Sequence, residues 1–63
     1  MNIGEKITKL RKEKGLSMDK LAAEIGISKQ MIYKYEKGIL LPTLAVTKIL
    51  AQIFEITIDE LVS

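Results

Sequence analysis

The segment Ser28 to Lys37 sets Lys29, Gln30, Tyr33 and Lys34 at helical spacing on one side, which brings two ammonium groups, a carboxamide and a phenol together. Ammonium groups bind phosphates or the acceptor edge of a guanine. A carboxamide makes a two-point contact with an adenine edge, and a tyrosine meets a phosphate or a thymine methyl. The same helical face carries no acidic residue of its own. These side chains suit recognition of an anionic, hydrogen-bonding surface.

The rest of the composition argues against a reaction. There is no Cys and no His, so disulfides, the usual zinc sites, thiol nucleophiles and imidazole bases are all absent. Glu36, Asp59 and Glu60 stand in no recognisable ligand loop, and each has a structural reading within a helix. No enzyme activity, metal, cofactor or small-molecule ligand is expected. Gly15, Gly26 and Gly38 do not form the GxxxxGK spacing that cradles a nucleotide phosphate, so they are read as turn residues.

The elements that must position the segment follow from punctuation. Glycines at 15, 26 and 38 and Pro42 separate stretches with helical apolar periodicity, and no strand pattern competes. A first helix is expected after Asn2, whose Glu5 partner completes a capping box, and it ends near Lys14 with Ile3, Ile7 and Leu10 inward. A second helix follows the cap Ser17 and buries Leu21, Ala22 and Ile25. Gly26 then makes a tight left-handed turn, and Ser28 caps a third helix that buries Ile32 and Tyr35. The fourth helix starts at Thr43, with Leu44, Thr47, Leu50, Ala51 and Phe54 inward. The fifth starts at Thr57, where Glu60 makes a second capping box. Two short helices joined at a glycine, with the second one polar outside, form the unit that enters a DNA major groove about 12 Å wide.

Length and charge agree with that unit. Sixty-three residues, 48% hydrophobic and 29% charged, predict one packed domain over residues 1–63 rather than a disordered chain. The net charge of +2 is unevenly spread. Residues 1–38 carry nine basic and five acidic side chains, whereas residues 39–63 carry one against three, so the first part is positive and the second negative. Lys6, Lys9, Lys12 and Lys14 are read as solubilising charges on the first helix. No apolar run is long enough for a membrane span and the N-terminus lacks the core of a signal peptide, so no membrane partner and a cytoplasmic location are expected.

The string Leu10-Arg11, Gly15-Leu16-Ser17, Leu21-Ala22, Gly26-Ile27-Ser28, Ile32, Tyr35-Glu36-Lys37-Gly38, Pro42 and Ile58-Asp59-Glu60-Leu61 resembles the Xre, or Cro/phage-repressor-like, helix-turn-helix family from Ile3 to Leu61. The resemblance implies an all-α, compact five-helix lambda-repressor-like domain whose second and third helices form the helix-turn-helix. It also implies a transcriptional regulator, expected to be a repressor, that binds double-stranded DNA as a homodimer on an inverted-repeat operator.

Carried over by position, the resemblance assigns base reading to Lys29, Gln30 and Lys34, with Tyr33 beside them, and Lys37 is expected among the DNA-binding residues. It makes Ser17 and Ser28 caps of helix ends that approach phosphates. Met18 stands where relatives usually carry a Gln that touches the DNA backbone, and the loop after Gly38, often basic in relatives, is Ile39-Leu40-Leu41. Both departures predict a modest nonspecific affinity and a shallow salt dependence. Arg11 and Glu36 are expected to form a structural ion pair tying the first helix to the end of the third.

Helix 4 has a second apolar stripe, Ala45, Val46, Ile49 and Ile53. With Ile56, Ile58 and Val62 at its edge, it is expected to be the homodimer face. The alternative is an antitoxin or another protein-interaction module on the same fold. It draws on Met18, the apolar loop and the helix-4 surface.

Overall fold

The computed structural model describes residues 2–63, and each helix in it begins at a side chain that accepts from the N–H three residues on. Asn2 caps α1 (Ile3–Glu13), Ser17 caps α2 (Met18–Ile25), Ser28 caps α3 (Lys29–Glu36), Thr43 caps α4 (Leu44–Phe54) and Thr57 caps α5 (Ile58–Val62). These caps satisfy donors that a helix start leaves open, and so set where each helix begins. Both expected capping boxes form: the Glu5 and Glu60 side chains return to the Asn2 and Thr57 N–H groups at 3.2 and 2.9 Å. The bonds to Thr57 hold the Glu60 carboxyl below the usual range, because they favour its charged form.

The centre is built from one fully buried large side chain per helix: Ile7, Leu21, Ile32, Leu50 and Leu61. Ala22, Tyr35, Ala51 and Phe54 close around them. The expected five-helix architecture is therefore present, with no strand among the described residues. The described residues span principal extents of 24 × 22 × 20 Å, and among them no helix is long and apolar enough to cross a membrane.

Several expectations need correction. Leu44, assigned inward, is 65% exposed. As the first residue of α4 it projects past the edge of the core, and Thr47 and Leu50 take the buried side. The second stripe of α4 is partly used within the chain: Val46 and Ile53, with Ile56 and Ile58, are half-buried against the core, and α5 packs against α4. Two lysines read as solubilising charges make specific ties. Lys6 donates to the carbonyl oxygens of Glu60 and Ser63 at 2.6 and 3.0 Å, where a cation complements the negative end of α5. The ammonium of Lys14 lies 2.9 Å from the Glu55 carboxylate and holds that carboxyl below the usual range.

Two backbone features had no sequence signal. Glu55 ends α4 in the left-handed region at φ 58°, a conformation costing a non-glycine residue about 1–2 kcal/mol. Gly4 is buried where α1 crosses the end of α3. A methyl built on it would stand 2.5 Å from the Tyr35 carbonyl oxygen and 2.6 Å from that of Glu36. Only glycine permits so close an approach.

Candidate nucleic-acid interface

The site starts from a turn. Gly26 caps α2 at φ 89° and ψ 30°, and its N–H donates to the Ala22 carbonyl at 2.8 Å while that of Ile27 donates to the same oxygen at 3.0 Å. This left-handed step turns the chain so that α3 packs on α2, with Leu21 and Ile32 both in the core. The helix is then fixed at its other end. Arg11 donates through Nε to Oε2 of Glu36 at 2.6 Å and through Nη2 to Oε1 at 3.2 Å. Its Nη1 donates to the Leu16 carbonyl at 2.9 Å. Both side chains are buried, and the planar guanidinium thereby locks α1, the segment before α2 and the end of α3 into one unit.

With Ile32, Tyr35 and Glu36 buried, the opposite side of α3 is left to solvent. Lys29, Gln30, Tyr33, Lys34 and Lys37 are all exposed. The two tyrosines divide as their spacing requires: Tyr35 is 2% exposed in the core and Tyr33 is 47% exposed on the polar face. The Lys37 ammonium lies 5.8 Å from the centre of the Tyr33 ring, within reach of a cation–π contact. Lys34 forms no ion pair with any described carboxylate.

α3 itself adds no acid to this face, since its one carboxylate, Glu36, is buried. A neighbouring helix brings one to its edge: Asp19 Oδ2 of α2 lies 3.8 Å from Lys29 Nζ, with both side chains mostly exposed. Sequence spacing alone does not show that these two helix starts share an edge.

Ser17 and Ser28 accept from the N–H groups of Lys20 and Met31 at 3.0 and 3.2 Å. The N–H groups of the first two residues of α2 and α3 take no part in these cap bonds, and open donors of this kind at a helix start can receive an anion. Met18 is half-buried and packs against the core, so its thioether supports α2 from beneath. Ile39 at 65%, Leu40 at 44% and Leu41 at 74% exposure follow α3 directly and form an apolar rim. Of the expected dimer residues, Ala45 and Val62 are exposed and Ile49 is half-buried, while the other four pack on the core. Among the described residues no side-chain cluster suits a metal ion and no pocket opens.

Residues 7–61 match the model of a family described as helix-turn-helix. The HTH-type transcriptional activator BcrR of Enterococcus faecalis is 36% identical over all 63 residues, which span 31% of that protein. The HTH-type transcriptional regulator AnsR of Bacillus subtilis (strain 168) is 39% identical over 61 residues, 97% of this chain and 52% of AnsR. The chain thus spans about half or less of the length of these relatives. Among solved structures, SinR of Bacillus subtilis, a master regulator for biofilm formation crystallised in complex with DNA, superposes with a TM-score of 0.85 at 27% identity, covering 94% of this chain and 95% of that one.

Proposed function

This chain belongs to the helix-turn-helix family, with Xre-like and Cro/repressor-like relatives, and from that premise we propose that it is the sequence-reading domain of a transcriptional regulator. It lays α3 in the major groove of double-stranded DNA. Lys29, Gln30 and Lys34 meet base edges, Tyr33 lies beside them, and Lys37 with the capped starts of α2 and α3 meets the backbone. The observation that carries this reading is the division of α3 into a buried side locked by Arg11–Glu36 and an exposed polar side. The family's DNA-bound relative SinR supports the same orientation of purpose.

The regulator acts as a homodimer on an inverted repeat, joined along the part of α4 and α5 that its own core leaves open: Ala45, Ile49 and Val62, with the edges of Val46, Ile53, Ile56 and Ile58. It represses by covering its operator. Selection of bound duplexes from random DNA tests the whole reading. The expected product is a short inverted repeat with half-sites about 34 Å apart, one turn of the double helix. A single unrepeated site removes the dimer, and recovery of random sequence removes sequence reading.

A second reading is favoured by the exposed Ile39, Leu40, Leu41 and Leu44, a larger apolar surface than a DNA reader needs. In it the domain docks a protein partner, as an antitoxin does. Selection that recovers no sequence would favour it.

A further inference from the structure

Resting on the DNA-binding reading above, we infer that Asp19 is a positioning residue that lowers DNA affinity through Lys29. The two belong to different helices, Asp19 being the second residue of α2 and Lys29 the first of α3. Their 3.8 Å approach brings the starts of both helices to one edge of the molecule. That edge gathers three attractions for an anion: the positive ends of two helix dipoles and the Lys29 ammonium.

A DNA phosphate is the anion that the proposed function brings there, but a carboxylate already occupies the edge. Both side chains of the pair are largely exposed, at 59% and 74%, so the contact adds little to folding. Its consequence is electrostatic and local. Asp19 draws the ammonium of Lys29 toward α2 and so withholds it from an incoming strand. Lys29 is therefore a conditional contact that must leave Asp19 before it meets DNA. Lys34 has no such partner among the described residues. The pair suppresses binding wherever DNA offers Lys29 only a phosphate, since one anion is then exchanged for another.

The experiment is a salt series of binding to the selected duplex and to a random-sequence duplex. It compares the wild type with Asp19→Asn, Asp19→Glu, Lys29→Ala and the Asp19→Asn/Lys29→Ala double variant. Glu24→Gln is the control, because it makes the same charge change at the far, exposed end of α2. Asp19→Asn is expected to bind the random-sequence duplex several-fold more tightly, with the slope of log affinity against log salt there steeper by about 0.9, the value of one added phosphate contact, and to gain less on the selected duplex, where Lys29 meets a base edge. Asp19→Glu keeps the wild-type slope, Glu24→Gln moves it by less than half as much, and the gain from Asp19→Asn disappears in the Lys29→Ala background. A slope for Asp19→Asn equal to that of the wild type or of Glu24→Gln overturns the inference, as does a gain that survives loss of Lys29. A wild type that binds neither duplex overturns the DNA-binding reading itself, and the role of Asp19 with it.

Discussion

The segment from α1 to α3 and the segment from α4 to α5 are held by different kinds of force. The first is registered by directional contacts: the buried Arg11–Glu36 pair, the close passage of Gly4 against two carbonyl groups, and the left-handed turn at Gly26. The second is held by apolar burial of Leu50, Ala51, Phe54 and Leu61, with its polar ties, Lys6 to the end of α5 and Lys14 to Glu55, at the surface. Apolar burial is non-directional and tolerates small slips, whereas a two-point ion pair between buried groups does not. The lesson is that the molecule places its directional contacts where the orientation of α3 has to be exact and uses adhesive packing elsewhere.

Substitutions can break that contrast in a ranked order. Arg11→Ala leaves the Glu36 carboxylate buried without its partner, and urea unfolding is expected to show a loss of about 3–5 kcal/mol. A loss under 1 kcal/mol would mean that the ion pair is incidental to the register of α3. Gly4→Ala ranks next. The contacted atoms are backbone carbonyls that cannot rotate aside, so α1 must shift, at a cost of about 1–3 kcal/mol on the same measurement. A crystal structure of the variant is expected to show α1 displaced from α3 while α4 and α5 keep their packing.

The smallest effect belongs to the second segment and sharpens the comparison from the other side. Glu60 and Glu55 both titrate below the usual glutamate range in the folded chain, the first through its bonds to Thr57 and the second through Lys14. A lowered folded-state value means that the charged form stabilises the fold above the unfolded-state pKa of about 4.3, and that this contribution fades as pH falls through the folded value. Glu60→Gln keeps an acceptor for the Thr57 N–H but removes the titration. Thermal unfolding of the wild type is expected to lose slightly more on going from pH 5 to about pH 3 than that of Glu60→Gln. Equal losses would place the acid sensitivity elsewhere.

What could be read from residues alone follows the range of the interaction. The caps at Asn2, Ser17, Ser28, Thr43 and Thr57 act over three residues, and the buried and exposed sides of α3 follow from its period, so residue type and spacing alone carry both. The passage of Gly4 beside Tyr35, the reach of Lys6 to the end of α5, and the meeting of Asp19 with Lys29 depend on how helices cross. Periodicity carries no crossing angle. The same gap explains α4: its apolar residues read as two stripes, but only the packing of the helices shows that Val46 and Ile53 have a core to join and that Leu44 does not. Glu55 ends a helix in a conformation that glycine usually supplies, and nothing in the residue type announces it.

The most direct test of the exposed side of α3 compares Gln30→Ala and Lys34→Ala with the wild type on the selected duplex and on random DNA. Each variant is expected to lose about 1–3 kcal/mol on the selected duplex, with a much smaller loss on random DNA and unchanged thermal stability. Equal losses on both duplexes, or no loss on either, would contradict the assignment of base reading to this face.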